Sequence, residues 1–146
     1  MMVDVVTEII ILKPVEIVAE YAANPDNAPA WYNNINSVGW HTPRPLKIGS
    51  LVAFKAKFVG RQLAYIYEFV EWIPNQKLVM QTVDGPFPMQ TTYTWTAIDE
   101  QTTRMTLRNK GNPKGFSGLF SFFMAKMMRK ANNKDLEKIK QVLESR

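Results

Sequence analysis

The chain has 146 residues, no cysteine, a single histidine (His41) and a formal charge of +5, from 18 basic and 13 acidic side chains. Roughly 70% of the unfolded surface is buried when a chain of this size folds, so one domain over residues 1–146 can stand without staples. Disulfides, thiolate metal sites, a Cys nucleophile and a multi-histidine zinc site are excluded by composition. The positive charge is local. Residues 1–107 carry 8 basic and 10 acidic side chains, a net −2, whereas residues 108–146 carry 10 and 3, a net +7.

Asp4 and Glu8 occupy the N-terminal stretch where a signal peptide would carry basic residues. Gly115 to Met128, the longest apolar stretch, contains Lys126 and is shorter than the roughly 20 residues of a spanning helix. A soluble, cytoplasmic protein is expected.

In chain order, Val3 to Leu12 alternates as a first strand. Pro14 suits the first turn of a helix running to about Ala23, and a short second helix is expected near Ala28 to Asn34. A strand over Ser37 to His41 precedes the breaker segment TPRPLKIG. Ser50 to Trp72 reads as a hairpin around a two-residue Gly60-Arg61 turn, with glycine supplying positive φ. That register sets Phe58 opposite Leu63, Phe54 opposite Tyr67 and Val52 opposite Phe69 on one apolar face, leaving Lys55, Lys57, Gln62 and Glu68 on the other.

Leu78, Met80 and Thr82 continue the alternation before a stiff loop, Asp84 to Pro88. Met89, Thr91, Tyr93 and Trp95 follow, then a turn, then Met105 and Leu107. Seven strands result, six of them a meander with one bulky face that must be covered. The cover is a proline-free segment from Phe116 to about Glu144. Phe116, Leu119, Phe120, Phe123, Met124, Met127 and Ala131 recur there at helical spacing, and Leu136, Ile139, Val142 and Leu143 extend the stripe.

This order of elements resembles the START-like (SRPBCC) superfamily, the helix-grip fold of polyketide cyclases, the birch-pollen allergen family and lipid-transfer domains. YEFVEWIPNQKLVMQ (Tyr67 to Gln81), TTYTWTAIDEQTTRMTLR (Thr91 to Arg108) and NNKDLEKIKQVLES (Asn132 to Ser145) are similar to scaffold segments of that group. The resemblance implies an α+β fold: a seven-stranded antiparallel curved sheet wrapped around the long C-terminal helix, with two short helices between strands 1 and 2. It also implies a cavity between sheet and helix for a hydrophobic small molecule. From the sheet, Phe54, Phe58, Leu63, Tyr65, Tyr67, Met80, Met89, Tyr93, Trp95, Met105 and Leu107 are then expected to line it; from the helix, Phe120, Phe123, Met124 and Met127. Hydroxyls and the Trp95 indole would orient the guest. Alternate meander loops share one end, so Arg61, Phe87, Lys110, Lys114 and Phe116 are expected at the rim, where cations beside a helix N-terminus favour an anionic headgroup.

The superfamily has no shared catalytic set, and no catalytic residue, metal or cofactor is assigned. Tyr65, Tyr67 and Asn109 could polarise a carbonyl or deliver a proton. Glu68 and Glu71, three apart on a strand, should point to opposite faces, with Glu71 on the side of Tyr67 at the cavity edge. His41 is expected in a loop. Three readings follow: a binding or carrier module for a lipid, isoprenoid or polyketide-like molecule; a cyclase or dehydratase using the same cavity; and peripheral membrane or protein contact through the basic helix, on which Phe122 falls off the core stripe. No nucleic-acid partner is expected, because no recognition motif accompanies the basic residues. The sequence sets no oligomeric state.

Overall fold

Alternation is translated directly into burial at the N-terminus, where Val3, Val5, Thr7 and Ile11 are buried and Asp4, Val6, Glu8 and Ile10 are exposed. The computed structural model describes the backbone of residues 3–58, 60–112 and 118–146, and the side chains of these apart from residues 58 and 118–121. Strand β1 (Val3–Ile11) is followed by helix α1 (Val15–Ala23), a single 3-10 turn (Pro25–Asn27) and the short helix α2 (Ala28–Trp31). The meander comprises β2 (Ile35–Trp40), β3 (Leu51–Phe58), β4 (Arg61–Ile73), β5 (Lys77–Asp84), β6 (Met89–Asp99) and β7 (Thr102–Gly111), and helix α3 (Gly118–Glu144) closes the chain.

The strands form one antiparallel sheet in the order β1-β7-β6-β5-β4-β3-β2, so β1 is annexed to the far edge of the meander. The seven strands, two short helices and long terminal helix of the sequence reading are all present. Helix α2 ends earlier than expected, because Tyr32 turns to extended geometry at ψ 120. The C-terminal end of α3 is tied to β1: Glu144 accepts the Leu12 backbone N–H at 2.8 Å and the Lys140 ammonium donates to the Ile10 carbonyl at 2.7 Å.

Two register details depart from the sequence reading. Phe58 pairs with Arg61 and not with Leu63, a register two residues from the expected one; Val59 lies outside the described residues. Gly60, at φ 73 and directly before Arg61, still supplies the positive φ. Because the slip is an even number, Val52, Phe54 and Ala56 keep their inner face and pair with Tyr67, Tyr65 and Leu63.

The second departure is a bulge. Phe69 pairs with Met80 and the next paired residue is Glu71, opposite Val79, leaving Val70 as the extra residue. The bulge inverts the alternation, so Trp72 joins Phe69 against the core and Glu71 turns outward to meet Lys77 at 3.4 Å. Glu68 and Glu71 therefore share the outer face, and Glu71 is not at the cavity edge. His41 is exposed at the end of β2, its backbone N–H donated to Leu51.

Candidate functional site

The inner face of the sheet and the buried stripe of α3 do not fill the interior evenly. At one end, Ile11, Val18, Trp95, Met105, Leu107, Leu136, Ile139 and Leu143 belong to one buried cluster. At the other, Met124 and Met128 pack with Val3 and Val5 beside Phe87 and Met89. A cavity of about 150 Å³ lies where the two clusters meet, taking Phe54, Met80 and Tyr93 from the first and Met128 from the second. Its sheet wall is bulky: Phe54, Leu63, Tyr65, Tyr67, Phe69, Leu78, Met80, Met89 and Tyr93. Its helical wall is mostly short, with Ala22, Ala23 and Ala28 from the α1–α2 region and Ala131, Asn132 and Asp135 from α3, Met128 being the long exception among the described α3 residues. The void follows from that mismatch, since methyl groups and two-carbon polar side chains do not reach across to the sheet.

Two of the cavity's polar side chains come from α3. Asn132 and Asp135 are three residues apart, on one helical face, and only 4% and 3% exposed. One Asp135 carboxylate oxygen accepts the Asn33 backbone N–H at 2.9 Å. Burial raises this carboxyl to about 6, against the downward pull of that hydrogen bond. The Asn132 Nδ2 meets no acceptor among the described residues. Opposite them the Tyr32 and Tyr93 hydroxyls are hydrogen-bonded to each other. Burial pushes both phenols, and those of Tyr65 and Tyr67, above their ordinary value, so all four stay neutral near pH 7. The Thr91 hydroxyl donates to Asn109 Oδ1 at 2.6 Å, so that carbonyl oxygen is engaged inside the wall.

One rim is aromatic. Phe87 meets Tyr65 edge to face with centroids 6.4 Å apart, and Tyr65 lies 5.9 Å from Tyr67. Gly85 passes beneath the Tyr65 ring so closely that a Cβ there would come within 2.6 Å of it. Half-buried Asn34 and exposed Lys57 border the cavity near β2 and β3, joined by the Lys57 N–H to Asn34 carbonyl bond of 2.8 Å.

Of the residues expected to line the cavity, Phe54, Leu63, Tyr65, Tyr67, Met80, Met89 and Tyr93 border it. Trp95, Met105 and Leu107 do not: they stand farther along the same face in solid core, and the Trp95 indole N–H has no partner there among the described residues. On α3 the buried stripe runs through Met124, Met128, Asn132 and Asp135, about one residue or 100° around from the expected one. Phe123 is consequently 53% exposed, Met127 is half-buried outside the lining, and Met124 packs in the smaller cluster. The side chains of Phe58 and Phe120 lie outside the described residues.

Of the expected rim residues that are described, Phe87 lines the cavity and Arg61 and Lys110 do not. Arg61 is exposed at the hairpin tip, and Lys110 alternates with inward Asn109 and so sits on the outer face, paired across strands with Asp4. Lys114 and Phe116 lie outside the described residues. The sequence reading missed Tyr32, Asn132 and Asp135. Tyr32 sits in an irregular connection with no periodicity to mark it. The other two were legible in principle, as polar residues at buried positions of a helical stripe.

A sheet of seven antiparallel strands curved over a long terminal helix, with the interior opening between them, defines a helix-grip protein of the START-like superfamily. The chain belongs to the polyketide cyclase / dehydrase and lipid transport family, whose model matches residues 2–144. The Zhui aromatase/cyclase of Streptomyces sp. R1128 is similar in structure, with a TM-score of 0.83 at 12% identity, covering 99% of this chain and 94% of that one. A Thermus thermophilus protein gives 0.81 at 18% identity, with 94% of each chain covered. A START superfamily protein from Mycobacterium smegmatis gives 0.75 at 14% identity, covering 97% and 94%. No curated protein matches the sequence.

Proposed function

We propose that this protein binds a hydrophobic or amphipathic small molecule, of lipid, isoprenoid or polyketide-like character, in the cavity between the sheet and α3. The carrying observation is the Asn132 Nδ2, without an acceptor among the described residues, next to buried Asp135 in a largely apolar chamber. A buried polar group without a partner is costly, and a guest that supplies the acceptor relieves that cost. The guest's apolar body lies against Phe54, Met80 and Met89, and Met adapts to its shape. Its carbonyl or hydroxyl takes the Asn132 N–H, and a hydroxyl can also donate to Asp135. A volume of about 150 Å³ suits one ring or a short chain segment, the size of an apolar cavity that admits benzene.

Native mass spectrometry of protein purified from its own host tests this reading. A co-purifying small molecule in the parent chain, lost in Ala131→Leu, is the expected result. A ligand-free parent with no saturable binding across a lipid and polyketide panel overturns it.

A second reading, a cyclase or dehydratase, is favoured by Asp135. A carboxyl near 6 is mostly ionised at neutral pH yet readily reprotonated, which suits an acid–base group. Asp135 would take a proton from the carbon next to a carbonyl held by Asn132 or a neutral phenol, and return it to a departing hydroxyl, which leaves as water. Turnover of the captured compound with a pH profile inflecting near 6, abolished in Asp135→Asn, separates this reading from simple binding.

A further inference from the structure

Helix α3 carries a solvent face that the cavity does not use. Phe122 is 72% exposed, the highest value among the large apolar side chains described, and Phe123 is 53% exposed. Lys126, Arg129 and Lys130 are exposed as well. At about 100° per residue, Phe122 and Arg129 fall within about 20° of each other, and Lys126, Lys130 and Phe123 follow within roughly the next 100°. Two aromatic rings and three cations thus share one arc, opposite buried Met124 and Met128. No acid interrupts it: the first carboxylate of α3 in sequence is Asp135, which points inward.

We infer that this face docks on the surface of a bilayer containing anionic lipid. Exposed rings beside cations on one helix are the chemistry of an interfacial helix: the rings enter the acyl boundary while the ammonium and guanidinium groups meet phosphate headgroups. The same charge argues against a second copy as occupant, because a two-fold contact through this face would set like charges against each other. Contact is peripheral, since no described helix is long and apolar enough to cross a membrane. Met128 links the two faces of the helix functionally: it borders the cavity less than two turns from Phe122, so docking brings one end of the cavity near the lipid.

The test is flotation of the full chain with phosphatidylcholine vesicles, with and without about 30% phosphatidylglycerol. Binding to the anionic vesicles, weakened by salt and roughly tenfold or more weaker in Phe122→Ser/Phe123→Ser and in Lys126→Glu/Arg129→Glu, is expected. All four side chains are exposed, and unchanged circular dichroism verifies that the variants fold. Absence of parent binding to anionic vesicles overturns the inference, as does binding that survives both variants. Concentration-dependent self-association that disappears in the Phe variant also overturns it, by assigning the face to a second copy. Because the readout is lipid flotation, an empty cavity leaves this result standing, and failed flotation leaves the cavity reading standing.

Discussion

Tyr93 and Trp95 stand two residues apart on the same face of β6, yet one borders a cavity and the other is sealed in solid core. The sheet offers large side chains at both places; the difference comes from the helices. Facing the Trp95 half, the helices supply Val18, Leu136, Ile139 and Leu143, which fill the space. Facing the Tyr93 half they supply four alanines, Asn132 and Asp135, with Met128 the long exception among the described α3 residues. In this fold the sheet determines the character of the interior wall, and the helical residues determine whether that wall encloses a core or a chamber.

Mutations should separate the two halves by size and by kind of effect. The largest loss is expected in the solid half. Ile139→Ala removes a fully buried side chain and should cost about 3–4 kcal/mol in denaturant unfolding, with ligand binding affected only through stability. A loss under about 1 kcal/mol would mean that this half is not close-packed.

Next in size, and opposite in sign, is Asp135→Asn in the hollow half. Burial raises the folded-state carboxyl from 3.8 to about 6, so the native protein binds this proton more tightly than the unfolded chain does. Its stabilising contribution is therefore present below pH 3.8 and is lost as pH rises through about 6, where ionisation costs on the order of 3 kcal/mol. The amide keeps an acceptor for the Asn33 N–H without that cost. Thermal unfolding should show the variant more stable than the parent at pH 8, with the gap closing toward pH 4. A gap independent of pH would place Asp135 in water and break the contrast between the halves.

Ala131→Leu should change stability by only about 1 kcal/mol or less, because the added carbons enter existing space. Its expected effect is instead on binding of a one-ring apolar probe such as toluene, followed by NMR and weakened about tenfold or more, since two lost methylene-sized contacts at about 0.8 kcal/mol each are worth about that much. The smallest effect belongs to Glu71→Gln. With Glu71 turned outward by the bulge and both it and its Lys77 partner reached by solvent, neither probe binding nor midpoint should move measurably.

Much of the scaffold was written locally. The alternation of Val3 to Ile11, the Met89 to Trp95 run and the proline-free stripe after Gly118 each specify an element through short-range spacing, and the order of those elements points to the grip. Even the two-residue error at the β3–β4 turn left the inner face intact, since strand alternation has period two. The bulge at Val70 was not legible, because the extra residue is defined by its partner strand and nothing in YEFVEW announces it.

The chamber needed the tertiary structure for the same reason. Period and polarity alone determined that Tyr65, Tyr67, Met80 and Tyr93 face inward. Whether they meet other side chains or empty space depends on the azimuth of α3, and a rotation of one residue exchanged Phe123 and Met127 for Met128 and Asn132. An amphipathic pattern with apolar residues on a broad arc is satisfied by several rotations of nearly equal hydrophobic content. Packing against β1 and the sheet selects one of them. That selection buries Asp135 at the cavity wall and leaves Phe122 and Phe123 facing solvent.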